Sequence, residues 1–265
     1  MNKTRHTTVP VIAFSIGLAS FASAAVSAFS QTFYSTNTGL TSPSSNVVFT
    51  TPAGSNAEMH TGFTNTTINL GETFRINFNI AFNETNGLGG HVDSDGLRFG
   101  LLGLTTPTNA DGVHADTTAT GYSTRFNWTR PNADSGQIRP RALAGGTSIN
   151  YLTTGAVYGN GAGFTGFGLT ANGTAYDASY SVTRTTATAN RVDFTIGGFT
   201  RSWTDASAAA FNFDTFVIAK IGDGGTFNTA STITLNSFSF DVVPEPSGLA
   251  LLGCSAIGLI LRRRR

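Results

Sequence analysis

Ten consecutive residues, Thr73-Phe74-Arg75-Ile76-Asn77-Phe78-Asn79-Ile80-Ala81-Phe82, carry a bulky apolar side chain at every even position. A period of two puts all five on one face of an extended strand, whereas a helix would scatter them around its axis. A strand this one-sided belongs to a sheet with one dry face, and that face needs a second layer. Shorter runs of similar character predict further strands at Asn46–Thr51, Leu97–Leu104, Tyr122–Arg130, Phe164–Leu169, Ser179–Arg184, Arg191–Ile196, Thr215–Ile221 and Thr232–Val242. The apolar positions of the last run switch from odd (Ile233, Leu235) to even (Phe238, Phe240, Val242), which predicts a bulge near Asn236-Ser237. Asn86-Gly87, Asp95-Gly96, Asp111-Gly112, Asn172-Gly173 and Asp223-Gly224 supply turn chemistry, with Asn172-Gly173 and Asp223-Gly224 the best hairpin candidates. The expected architecture is all-β: an antiparallel two-sheet sandwich over residues 29–242, read as one domain.

Composition agrees. Only 12% of the 265 residues are charged, against roughly 25% in an ordinary soluble domain. Lysine occurs only at Lys3 and Lys220, while Gly (31) and Phe (21) abound. Such a chain favours strands and turns over helices. With the two ends set aside, the body holds ten basic residues against fourteen acidic ones, a net charge of −4 with no basic stripe in the sequence. That argues against nucleic-acid binding.

The two ends differ from the body. Residues 1–28 combine Lys3 and Arg5, an apolar stretch from Val9 to about Phe21, and two small-residue sites at Ala22-Ser23-Ala24 and Val26-Ser27-Ala28. This is the layout of a secretory signal peptide and predicts export, with signal peptidase as a partner. Residues 243–265 open on Pro244-Glu245-Pro246, where neither proline can donate a backbone hydrogen bond. Next comes the apolar stretch Gly248–Leu261; as a helix rising about 1.5 Å per residue it reaches about 21 Å, short for a bilayer core of about 30 Å. The chain ends at Arg262-Arg263-Arg264-Arg265, positive residues that stay on the cytoplasmic side. Cys254, the one cysteine, lies inside the apolar stretch and is read as a small filler there, so the body has no disulfide and no thiolate.

This tripartite tail behind a signal peptide resembles the PEP-CTERM sorting signal of Gram-negative bacteria. The resemblance covers about the last two dozen residues. It implies that Pro244, Glu245 and Pro246 form the sorting motif, with Arg262, Arg263, Arg264 and Arg265 as the stop. It also implies a transient hold in the inner membrane by a short transmembrane helix, and processing by an exosortase. The product would go to the cell surface or into extracellular polysaccharide. The order of the body segments, Leu97–Leu102, Tyr180–Arg184, Arg191–Ile196 and Ile233–Val242, resembles the concanavalin A-like, laminin G-like jelly roll. That family includes lectins and glucanases, and fold alone confers neither activity.

No catalytic set emerges from the body. Glucanases on this fold use a strand with Glu-x-Asp-x-Glu, whose alternate carboxyls stand close enough for retaining hydrolysis. Here Glu58, Glu72 and Glu84 are each isolated, so the expectation is a protein that is not an enzyme. Asp93 and Asp95 in His91-Val92-Asp93-Ser94-Asp95-Gly96 are the candidate Ca²⁺ ligands, although the segment lacks a third acid and a closing Glu and reads first as a polar turn. No other cofactor is expected. His60 and His114 have no second imidazole nearby in sequence, so no zinc site is argued. Trp128 is the candidate glycan-stacking residue, and Trp203 a second; core packing is the commoner role of both. Four Asn-x-Thr triplets match the glycosylation sequon, as chance allows in so Asn- and Thr-rich a chain. The functional expectation is an exported surface or matrix protein of structural or adhesive character. A glycan-binding, lectin-like module is the alternative, and a polysaccharide hydrolase comes third.

Overall fold

The computed structural model describes residues 33–35, 40–41, 46–51, 57–84, 96–104, 119–126, 136–141, 162–164, 169, 173–208, 210–221 and 231–244. These residues form fourteen strands in two seven-stranded sheets, with every pairing antiparallel. Sheet A contains β1 (Tyr34–Ser35), β4 (Ala57–Thr67), β6 (Gly96–Gly103), β7 (Thr120–Phe126), β8 (Gly136–Arg141), β9 (Ala162–Phe164) and β13 (Asn212–Ile221), in the order β1-β4-β13-β6-β7-β8-β9. Sheet B contains β2 (Leu40–Thr41), β3 (Val47–Thr51), β5 (Glu72–Glu84), β10 (Ala175–Arg184), β11 (Asn190–Ile196), β12 (Phe199–Asp205) and β14 (Ser231–Pro244), in the order β12-β11-β10-β5-β14-β3-β2.

The expected sandwich is present, and the alternating run lies at its centre. Phe74, Ile76, Phe78, Ile80 and Phe82 of β5 all face inward and are buried. They meet Phe99 and Phe216 from sheet A, with Phe78 stacked on Phe99 at 5.3 Å and tilted against Phe216 at 5.5 Å between ring centroids. Phe99 also stacks on Phe194 of β11 at 5.1 Å. Offset aromatic pairs of this kind add to the gain from burial and tie the layers together. The bulge expected in the last strand is there: the β14–β5 register shifts between Leu235 and Ser237, so that Ile233, Leu235 and Phe238 are buried and Phe240 packs against the core, while Val242 at the strand end is exposed.

Two turn expectations are corrected. Gly173 has φ of 75°, as its turn role requires, but it leads into β10, which pairs with β5 and β11 and not with the strand before it. Asp223-Gly224 lies outside the described residues. The strands on either side of it, β13 and β14, belong to different sheets, so they form no hairpin. The tight hairpin is Gly197-Gly198, joining β11 to β12 with φ of 55° and 86°. Positive φ at both central residues is the two-residue turn that matches strand twist, and glycine takes it without strain.

The sandwich also has a polar pin. The Tyr122 hydroxyl, from sheet A, donates to Asp205 Oδ2 at 3.1 Å and accepts from Asn190 Nδ2 at 2.9 Å, both in sheet B. Asn190 Nδ2 also donates to the Ala210 carbonyl at 2.6 Å. Trp203 packs edge-on against Tyr122 at 6.2 Å. Burial, with Asp205 beside it, pushes the Tyr122 phenol far above the usual tyrosine range, so it stays a neutral donor.

Candidate functional site

The outer face of sheet A is set by register. Phe99, Leu101 and Tyr122 point into the core, so the residues between them point out. Strand pairing lines those residues up in rows. One row runs Glu58, Ala219, Arg98, Arg125, Gln137, and the next runs Tyr34, His60, Val217, Gly100, Ser123, Arg139. A third runs Gly62, Thr215, Leu102, Gly121, Arg141. These rows hold four arginines and one carboxylate, Glu58, which is fully buried like His60. The His60 ring stacks on Tyr34 at 5.7 Å. Arg98, Ser123, Arg125, Gln137 and Arg139 enclose a small hollow of about 40 Å³.

Beside this polar half, Leu102, Leu104, Ala119, Val217 and Ala219 make a second, separate apolar cluster. The sequence gives no sign of a basic stripe, yet the fold collects four of the ten body cations on one face. The meander β6-β7-β8 makes this possible, because consecutive strands become neighbours and their outward arginines fall side by side.

The outer face of sheet B carries a larger hollow, about 370 Å³, bordered by Asn77, Asp177, Ser179, Thr195, Ser237 and Ser239 among others. Its groups bond to one another along the ladder. Asn79 Nδ2 donates to Asp177 Oδ1 at 2.7 Å, Asn236 Nδ2 donates to Asn79 Oδ1 at 2.8 Å, and the Thr195 and Thr200 hydroxyls lie 2.9 Å apart. Charges on this face alternate in sign: Asp241 stands opposite Arg75, and Arg191 reaches Asp193 Oδ1 at 3.0 Å. These contacts engage many of the polar groups around the larger hollow.

No known family model and no curated protein matches this chain. Solved structures do. The carbohydrate recognition domain of Emp47p superposes with a TM-score of 0.50 at 11% identity, over 79% of this chain and 87% of that one. Basic winged bean lectin, solved with Tn-antigen, gives 0.49 at 14% identity over 80% and 92%. An endo-1,3-β-glucanase from Streptomyces sioyaensis gives 0.47 at 12% identity over 77% and 78%. The fold is a lectin-type jelly roll. At such identities the likeness carries the fold and nothing finer.

The residues singled out from sequence fall unevenly on this jelly roll. Pro244 is the last residue of β14, opposite Glu72, so the strand continues two residues past the boundary expected at 242. At the end of a strand a proline removes least from the ladder. Glu245, Pro246, Arg262, Arg263, Arg264 and Arg265 lie outside the described residues, as do Asp93, Asp95 and Trp128. So do residues 1–28 and Cys254. Among the described residues there is no group of three His, Cys, Asp or Glu placed to hold a metal, and no helix long and apolar enough to cross a membrane. Trp203 packs on the core, as its residue type favours. Arg98, Arg125, Arg139, Ser123 and Gln137 were not among the sequence candidates. Their signal was present in part: Arg98 sits between the inward apolar Leu97 and Phe99 within a predicted strand.

Proposed function

We propose that this protein is an exported glycan-binding module that offers the outer face of sheet A to polysaccharide. The observation that carries the reading is the concentration of outward arginines, Ser123 and Gln137 on one face of a lectin-type sandwich that is otherwise poor in charge. The Emp47p domain of similar fold is a carbohydrate recognition domain, which supports the class of ligand. Guanidinium, amide and hydroxyl groups are the side chains that hydrogen-bond sugar hydroxyls and their acidic substituents. The rows of this face hold Glu58 as their one carboxylate among the described residues, so they lack the carboxyl pair that glycoside hydrolysis uses. The reading is therefore binding without bond cleavage.

The ends complete the proposal. Residues 1–28 direct export, and the tail beginning at Pro244 holds the chain in the inner membrane until an exosortase acts. The product then stands at the cell surface of a Gram-negative bacterium or in extracellular polysaccharide, where glycan binding would give it an adhesive role. A glycan array probed with the purified protein tests the binding half. Specific signals that weaken when Arg125 is replaced are expected, and an array without signals overturns it. Intact mass of protein recovered from cells tests the sorting half: a mass lacking both ends is expected, and a chain that still carries Arg262–Arg265 overturns it.

A further inference from the structure

Resting on the glycan reading, we infer that the ligand is an acidic polysaccharide, whose carboxylate or sulfate ester seats between Arg98, Arg125 and Arg139. Arg98 stands directly opposite Arg125 in the β6–β7 pair. Directly opposed side chains have Cβ atoms roughly 4.5–5.5 Å apart, and like charges in that position are destabilising. Arg139 faces Ser123, two positions from Arg125, so it occupies the diagonal site. Diagonal neighbours lie roughly 7–8 Å apart, still within reach of long side chains. Three guanidinium stems therefore converge on one spot.

The nearest carboxylate in that row, Glu58, is two strands from Arg98, or roughly 9.5 Å at the usual strand spacing of about 4.8 Å. Arg98 and Arg125 also engage neighbours within the protein. Each guanidinium has five donors, so such contacts leave capacity for a ligand. An anion seated among these guanidiniums adds charge-assisted hydrogen bonds to the contacts they already make. The planar fork of arginine suits the paired oxygens of such anions.

Size and charge narrow the class. The hollow of about 40 Å³ compares with roughly 10–15 Å³ of the same measure for one water. It takes one small oxyanion head, not a sugar ring, so the ring must lie outside it, beyond the half-buried Arg98, Arg125, Gln137 and Arg139. The feature is a compact cluster in a body of net charge −4. A nucleic acid needs a long basic track along its backbone, and the cluster offers none.

The test uses the purified protein with dextran, carboxymethyl dextran and dextran sulfate of matched length, followed by affinity electrophoresis. At least one charged polymer should bind about tenfold or more tightly than neutral dextran, as expected of charge-assisted hydrogen bonds. Which polymer is retained separates the carboxylate from the sulfate. Arg98→Gln and Arg125→Gln should each remove most of that preference, with the sandwich intact by circular dichroism, while Arg191→Gln on sheet B leaves it unchanged. An equal loss in the Arg191 variant, no loss in the Arg98 and Arg125 variants, or equally tight binding of duplex DNA overturns the assignment. Binding to neutral glycans with no preference for charge overturns it too but leaves glycan binding standing. Failure to bind any glycan on the array or any of the dextrans overturns both.

Discussion

The two outer faces of this sandwich share a scaffold and oppose each other in chemistry. On sheet B, polar side chains answer one another across the strands: Thr73 with Thr183 at 2.7 Å, Asn79 with Asp177, and Arg191 with Ser202. On sheet A, Arg98 meets Arg125 across a strand pair. A self-satisfied ladder stabilises the sheet it decorates. On sheet A the pairing of β6, β7 and β8 instead gathers three arginines around one small hollow. The face that gathers three guanidiniums is the better candidate for function than the face with the larger hollow.

The sharpest way to break this comparison is to remove what both faces stand on. Phe99 lies in β6 between the outward positions Arg98 and Gly100, and its ring meets Phe78, Phe194 and Phe216. Phe99→Ala should cost about 3–5 kcal/mol, read as a shift of the urea midpoint, with both faces lost in one transition. A variant that kept sheet B ordered while sheet A melted would show that the core between the sheets does not tie them into one unit.

Less costly, and more selective, is the pin between the sheets. Tyr122→Phe leaves Asp205 and Asn190 without their shared hydroxyl, a loss of about 1–3 kcal/mol at neutral pH. The variant should also behave differently in alkali. The folded phenol titrates above its unfolded value of about 10, so the native state holds a proton that the unfolded state releases. That contribution is complete below about pH 10 and drains away as pH rises further, at about 1.4 kcal/mol per pH unit. Urea midpoints collected from about pH 8 to 11.5 should fall more steeply for the parent than for Tyr122→Phe. Equal slopes would place the proton elsewhere.

How far such features could be read from the chain depends on whether they are local. The strand β5 announces itself, because five inward residues alternate without a break. The bulge in β14 was legible as a change of parity. By contrast β8, Gly136–Arg141, has one buried apolar residue, Ile138, together with a proline, and β12 offers only Phe199 and Trp203 as large apolar residues. Neither alternation is strong enough to read. β4 places Met59 inward but surrounds it with Glu58 and His60, which are buried on the outer side. The arginine site was hidden for another reason. Arg98, Arg125 and Arg139 are far apart in sequence and meet only once β6, β7 and β8 pair in register. No local pattern marks Arg139, and only the pairing of β6, β7 and β8 brings it to the same place as Arg98 and Arg125.

The smallest effects sharpen the comparison best, because they should differ in sign. Thr183→Val removes a buried hydroxyl bonded to Thr73 at 2.7 Å. The partner hydroxyl loses its mate, and the expected cost is about 1 kcal/mol, with no change in glycan binding. Arg125→Gln removes one of two opposed guanidiniums while keeping an amide of similar reach. Relief of the repulsion should leave the free protein as stable as before or more stable by up to about 1 kcal/mol, while binding falls. Denaturation in low and high salt separates this from a packing effect. Repulsion is screened within about 10 Å at 0.1 M salt, so any gain from Arg125→Gln should shrink as salt is added, whereas the loss in Thr183→Val should not. If Arg125→Gln instead lowers stability at every salt concentration, the arginine is part of the framework of sheet A and the contrast between the faces disappears.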